Sequence, residues 1–369
     1  MLTNIPTFCF YLPFLLLFML VAIYVERKLA AFIQDRLGPM EVGYKGALQT
    51  LADLIKLLKK EVIIPEASDK ALFILAPVWI LVTVIAGFVV VPVNNAWTGA
   101  PTSIGLLFLL AMLSLKTIGI LVAGWSSNNK FARLGALRAM AQFLAYEIPL
   151  GLSVLCVIIA CRNVDLSVIS SQQGLSIYNV YKGSIQTSYL LGIKGLDVSH
   201  MGGFLSWNIF RMPCLIVAYS IFFLTSLAVS NKIPFDLAES ESELIAGYHT
   251  EYSGIYWAWI MVSEYSILFL MSIFGVILFW GGWNSPLPNI GSLKLALYTN
   301  GHPNTWVGNI WAFFWLFTKA LLFVLIQLWI KWTFPRLRAD QLLRVCWLYL
   351  IPLGLGCLLV TLWWEFLNL

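Results

Sequence analysis

The sequence predicts an all-α protein that crosses a membrane about eight times. Two observations carry this. Hydrophobic residues make up 60% of the 369 and charged residues only 11%, with a mean hydropathy of +0.84, too apolar for a soluble domain. Uncharged stretches near or above the ~20 residues needed to span a bilayer also recur along the chain, separated by connectors that gather most of the charge. A third observation concerns function. The 22 residues Asn231 to Tyr252, NKIPFDLAESESELIAGYHTEY, carry five carboxylates against a single lysine.

The first span is expected over Phe8 to Val25, with Pro13 tolerated inside a membrane helix, ending at Glu26-Arg27-Lys28. The opening MLTNIPTF has no basic region or small-residue cleavage site, so this run reads as a retained helix. Residues 26–70 form a polar cytoplasmic connector. Within it GALQTLADLIKLLKKE (46–61) places Leu48, Leu51, Ala52, Ile55 and Leu58 on one helical face, an amphipathic helix suited to the membrane surface or to roofing a cavity. The second span is expected over Ala71–Val91 and the third over Ser103–Ala123, with Lys116 inside it. Gly124 to Arg138 reads as a short basic connector, and the fourth span as Ala139–Cys161 with Glu147 followed two residues later by Pro149. Residues 162–211 form a polar insertion without clear periodicity. The remaining spans are Met212–Ser230, Ile255–Gly281 with Glu264 embedded, Thr305–Ile330 with Lys319, and Cys346–Trp364.

Eight spans put both termini on one side. The connectors 26–70, 124–138, 231–254 and 331–344 hold 16 Lys and Arg, against 5 on the opposite face. The positive-inside rule therefore places the acidic connector 231–254 in the cytoplasm, with 162–211 and both termini outside.

The six cysteines are scattered without a CxxC, and none of the three histidines lies in an apolar run. No redox centre of the chain's own is expected, nor a metal site. What stands out is acid. Like charges crowded in the island raise the pKa of some of its members, which makes Asp236, Glu239, Glu241, Glu243 and Glu251 candidates for holding protons. Pro234, Asp236 and Glu239 would equally suit an ordinary helix start. Burying a charge at the bilayer centre costs at least ~2.5–3.5 kcal/mol, so Lys116, Glu147, Glu264 and Lys319 need an interior location; the lysines have the reach to snorkel out, the glutamates do not. Island and intramembrane glutamates together suit a proton relay.

Six segments carry a resemblance: ERKLAAFIQDRLGP (26–39), GALQTLADLIKLLKKE (46–61), GWSSNNKFARLGALRAMAQFLAYEIPL (124–150), PFDLAESESELIAGYHTEYSG (234–254), SEY (263–265) and WTFPRLRADQLLR (332–344). Together they resemble the NuoH-type membrane subunit of respiratory complex I, the quinone-chamber subunit of proton-pumping NADH:quinone oxidoreductase. The resemblance implies a subunit that walls a quinone cavity with a peripheral subunit and begins the polar path to the pump. It implies quinone as substrate, and NADH, FMN and iron–sulfur clusters on partner subunits. The expected partners are peripheral iron–sulfur and quinone-site subunits, antiporter-like and small membrane subunits, and lipid, with no nucleic acid. Carried over residue by residue, it assigns Arg27, Gln34, Arg36, Asp53, Lys56, Lys232, Asp236, Arg336, Arg338 and Asp340 to the quinone cavity. It assigns Glu147, Glu239, Glu241, Glu243, Glu251, Glu264 and Lys319 to the proton path. This chain departs from the family's usual pattern at Val229, Lys232, Tyr44, Leu348 and Lys116 and in the length of 162–211. The implied location is a bacterial cytoplasmic membrane, or an organellar inner or thylakoid membrane. Rival readings are the membrane anchor of an energy-converting hydrogenase, a stand-alone ion-coupled transporter, for which no internal repeat is visible, and a purely structural anchor.

Overall fold

Helices stand at each of the eight predicted span positions, and among the described residues all regular structure is helical. The computed structural model describes residues 7–94, 102–174, 201–239, 241–289, 294–300 and 305–367, together with 100, 190–193 and 198. The elements that matter here are α1 (Thr7–Ile33), α2 (Gln49–Lys59), α3 (Lys70–Val89), α4 (Gly105–Ser126), α5 (Lys130–Cys161), α6 (Leu166–Gln172), α7 (Pro213–Val229), α8 (Gly254–Phe279), α9 (Trp306–Thr333) and α10 (Ile351–Leu367). Among the described residues six helices are long and apolar enough to cross a membrane: α3, α4, α5, α8, α9 and the run Ala339–Leu367 that ends in α10. At the other two positions, α7 is apolar but has 17 residues, and α1 has 27.

Three boundaries differ from the sequence reading, each for a local reason. Helix α1 does not stop before Glu26-Arg27-Lys28 but runs eight residues past Val25. The charges there are satisfied from other parts of the chain: Glu26 by Lys331 and Tyr265, and Lys28 by the Pro39 carbonyl at 2.7 Å. Helix α5 begins at Lys130, so most of the expected basic connector is helical; the Asn129 side chain accepts from the Phe131 N–H and caps its start. Amphipathic α2 is 11 residues, shorter than 46–61, because a tight turn at Tyr44–Gly46 precedes it.

Helix α8 is the axis of the bundle. Every residue in its most apolar window is buried, packed by α3, α7 and α9, with α1 alongside. Phe269 stacks among Phe14, Phe18, Phe88 and Phe317. In lipid the gain comes from such close packing rather than from leaving water, so small residues mark helix contacts. Gly124 of α4 is one: a Cβ there would lie 2.4 Å from the Ala136 Cβ of α5.

The two ends of the polar insertion fasten the C-terminus of α8. Gln173 Nε2 donates to the Ile277 carbonyl at 2.8 Å while its Oε1 accepts from the Gly281 N–H at 2.9 Å, and Asn208 Nδ2 donates to the Leu278 carbonyl at 2.7 Å. These side chains satisfy carbonyls that a helix end leaves without partners.

Candidate functional site

The acidic connector between α7 and α8 folds back against α5 instead of lying in solvent. Gln142 of α5 anchors it, its Nε2 donating to the carbonyls of Ala228 (2.8 Å) and Phe235 (2.7 Å). Arg336 donates to the Asp236 carbonyl, and the Leu337 N–H to that of Pro234 at 3.1 Å. The tight return at Gly247 has φ +64°, and a Cβ there would sit 1.8 Å from the Ala238 carbonyl oxygen, so the close approach of the two strands of the loop requires glycine.

This folding carries Lys232, Asp236, Glu239 and Tyr248 to Glu264, which lies 2% exposed on α8. Lys232 Nζ stands 3.7 Å from Glu264 Oε2, and the Tyr248 hydroxyl donates to Glu264 Oε1 at 2.9 Å. Glu239 hydrogen-bonds and repels the same carboxylate, and its Oε1 is enclosed with no protein partner. Burial, then the charge of Glu264 and the hydrogen bond with it, hold the Glu239 carboxyl well above the usual carboxylate range. Burial also pushes Asp236 up, opposed by Arg336. Burial disfavours the Lys232 ammonium, yet Glu264, Tyr265, Glu26 and Glu239 outweigh it and hold the lysine above its ordinary value. A buried acid whose ionisation is opposed, set beside one that is ion-paired, can hold a proton. Lys116 of α4 adds a second buried ammonium, donating to the Val229 carbonyl at 3.1 Å.

Next to this cluster lies a cavity of about 180 Å³ lined by residues of α1, α2, α8 and α9, among them Glu26, Arg27, Asp53, Trp257, Tyr265 and Trp332. Amphipathic α2 forms one wall and is held to α1 by the Arg27–Asp53 ion pair at 2.6 Å, which Gln49 supports from Nε2 to Asp53 Oδ1 at 3.1 Å. Ligand pockets for drug-sized molecules usually measure roughly 300–1,000 Å³, so the cavity in this chain alone is smaller than a typical ligand pocket.

The remaining predicted residues are dispersed around these two features. Gln34 and Arg36 are exposed and bonded to each other at 2.8 Å, and Lys56, Arg338 and Asp340 are exposed. Arg336 reaches the island's backbone rather than the cavity lining. Glu147 is half-buried and accepts from Ser114 Oγ at 2.6 Å. Glu243 pairs outward with Arg138, whose guanidinium holds it below the usual range. Glu251 accepts from Asn129 Nδ2 at 2.6 Å. The side chain of Glu241 lies outside the described residues. Lys319 stands apart: its ammonium donates to the carbonyls of Trp280 (2.9 Å), Gly282 (3.0 Å) and Asn284 (2.6 Å) beyond the far end of α8, with the Trp207 ring 4.2 Å away. Neither Lys116 nor Lys319 snorkels; each is buried on a backbone carbonyl.

Sequence reasoning did not single out Tyr248, Glu26, Tyr265 or Lys331. Glu26 and Lys331 sit at span ends, where charge is ordinary. Only their pairing across 305 residues, with Tyr265 as third member, distinguishes them. The one available signal was the tyrosine directly after the embedded Glu264.

Comparison with known proteins bears on this geometry. The family model described as NADH dehydrogenase matches residues 6–362. An NADH-quinone oxidoreductase H subunit of Cytophaga hutchinsonii is 50% identical over 354 residues, 95% of this chain and 96% of that protein. The H subunits of the same enzyme from Chlorobaculum parvum and Chlorobium luteolum are 41% and 42% identical over 342 residues, 93% of this chain and 86% and 83% of theirs.

Proposed function

Because this chain belongs to the NADH dehydrogenase family and is a multi-pass membrane subunit of an NADH-quinone oxidoreductase, we propose that it walls the quinone-reduction cavity and starts the proton-coupling path of that enzyme. The observation that carries this reading is adjacency. A small cavity bounded by Arg27, Asp53 and the amphipathic helix abuts a buried carboxyl cluster in which Lys232 and Tyr248 hold Glu264 and burial opposes the ionisation of Glu239.

In this reading the cavity is completed by a peripheral subunit and takes the quinone headgroup. Arg27, Asp53, Lys56, Gln34 and Arg36 form its charged rim, with Lys232, Asp236, Arg336, Arg338 and Asp340 on the island side. The apolar lining takes the tail. NADH, FMN and iron–sulfur clusters belong to partner subunits. A change of charge on the quinone alters the protonation of Glu239, Glu241 and Glu243, and the disturbance passes inward through Glu264 and Glu147, with Glu251 at the mouth, toward antiporter-like subunits. Lys319 belongs to this path only if its ammonium leaves the three carbonyls that hold it. The membrane is the bacterial cytoplasmic membrane, with 231–254 inside and both termini and 162–211 on the periplasmic side.

The test uses the assembled complex in sealed vesicles. Glu239→Gln and Glu147→Gln should each lower proton translocation linked to quinone reduction while leaving electron delivery from NADH to a water-soluble acceptor at the wild-type rate. Wild-type quinone reduction and proton yield in both variants would overturn the proposal.

A further inference from the structure

The cavity and the acid cluster adjoin, and three side chains link them. Glu26 of α1 lines the cavity yet is only 6% exposed. Its Oε1 pairs with Lys331 of α9, and its Oε2 accepts from the Tyr265 hydroxyl at 2.7 Å. Tyr265 lines the same cavity, and its ring carries the Lys232 ammonium at 4.8 Å. That ammonium is the one standing 3.7 Å from Glu264. The path from cavity to cluster therefore runs Glu26, Tyr265, Lys232, Glu264 and Glu239, each in direct or charge-to-ring contact with the next.

Building on the reading above, we propose that Glu26 and Tyr265 are positioning residues that transmit the charge state of the cavity to the Glu264–Glu239 pair by setting where the Lys232 ammonium rests. The physics is electrostatic and needs no bond to break. A distance of 3.7 Å is longer than a hydrogen bond, so the ammonium is not locked onto Glu264. Negative charge arriving in the cavity draws Lys232 toward the Tyr265 face and competes with Glu26 for Lys331. In a low-dielectric interior such a shift is felt strongly. Glu264 then loses part of its compensation where water cannot replace it, and the proton held in the Glu239–Glu264 pair redistributes. The charged groups facing Glu26 in this process are Lys331 from α9, Lys232 from the connector, and the Arg27–Asp53 pair at the α1–α2 contact.

The experiment uses the intact complex in vesicles, with Glu26→Gln, Tyr265→Phe and the double variant. Tyr265→Phe keeps the ring under Lys232 and removes only the hydroxyl contact, so it tests the link even where Glu26→Gln destabilises the subunit by stranding Lys331. The expected result is a quinone KM within about twofold of wild type, a kcat and a proton yield per electron lowered about fivefold, and a double variant no worse than Glu26→Gln alone. A raised KM with kcat and proton yield intact would reduce the two residues to cavity wall and overturn the proposal. Wild-type behaviour of Tyr265→Phe, or multiplying effects in the double variant, would overturn it as well. Glu239→Gln run in parallel separates the two levels of inference. If it is impaired while Tyr265→Phe is not, only the bridge falls; if Tyr265→Phe, Glu239→Gln and Glu147→Gln all behave as wild type, the coupling reading falls with it.

Discussion

Replacing Lys319 by methionine separates a proton carrier from a structural clamp. Lys319 is 9% exposed, and its ammonium donates to three backbone carbonyls just beyond α8. A hydrogen bond to a charged group contributes about 1.5–3 kcal/mol, so three give a gross loss of about 4.5–9 kcal/mol. Removing a buried charge returns several kcal/mol of desolvation, and methionine fills most of the vacated volume. The net expectation is a destabilisation of about 2–4 kcal/mol, localised where α8 meets the polar insertion. It would be read as a lower temperature at which the solubilised complex loses this subunit, with the proton yield per electron unchanged at permissive temperature. An unaltered dissociation temperature together with a reduced proton yield would refute the clamp and put Lys319 in the path.

Three further outcomes follow from the same geometry. Because Glu239 is held well above the usual carboxylate range, its un-ionised form persists to higher pH than an ordinary carboxyl's and is lost as pH rises through that raised value; an infrared band of a protonated carboxyl that outlasts the ordinary carboxylate range on titration and is missing in Glu239→Gln would establish this, and no difference between the spectra would count against it. Arg27→Ala and Asp53→Asn break a partly exposed pair contributing about 1 kcal/mol or less to stability, so the complex should assemble normally while quinone KM rises as α2 loosens from α1. Gly247→Ala forces a Cβ to within 1.8 Å of a carbonyl oxygen in a left-handed backbone, a conformation that alone costs about 1–2 kcal/mol. Quantitative immunoblotting of membranes should show the subunit depleted from the assembled complex.

Much of the site was legible in part. The island's acidity, the embedded Glu264 and the amphipathic face of α2 are properties of composition and period, which need no partner to be recognised. Lys116 and Lys319 could be marked as charges requiring an interior place, but whether they would meet carboxylates or carbonyls was not written in their neighbours. Both ended on backbone oxygen. Glu243 turned out to Arg138 and Glu147 to Ser114, while Glu239 and Glu264 came together, because the fold-back at Gly247 admits only part of the island to the interior.

Sequence by itself determined the solvent. Long uncharged runs have to be helices in lipid, where every backbone group must find its partner within the segment. Only the tertiary structure decided which charges are neighbours. Glu26 and Lys331 lie 305 residues apart, and Tyr265 lies 239 residues from Glu26. A side chain's electrostatic partner depends on which helices pack together, and packing in a bilayer is settled by shape at contacts such as Gly124 on Ala136, for which local sequence carries no period or sign.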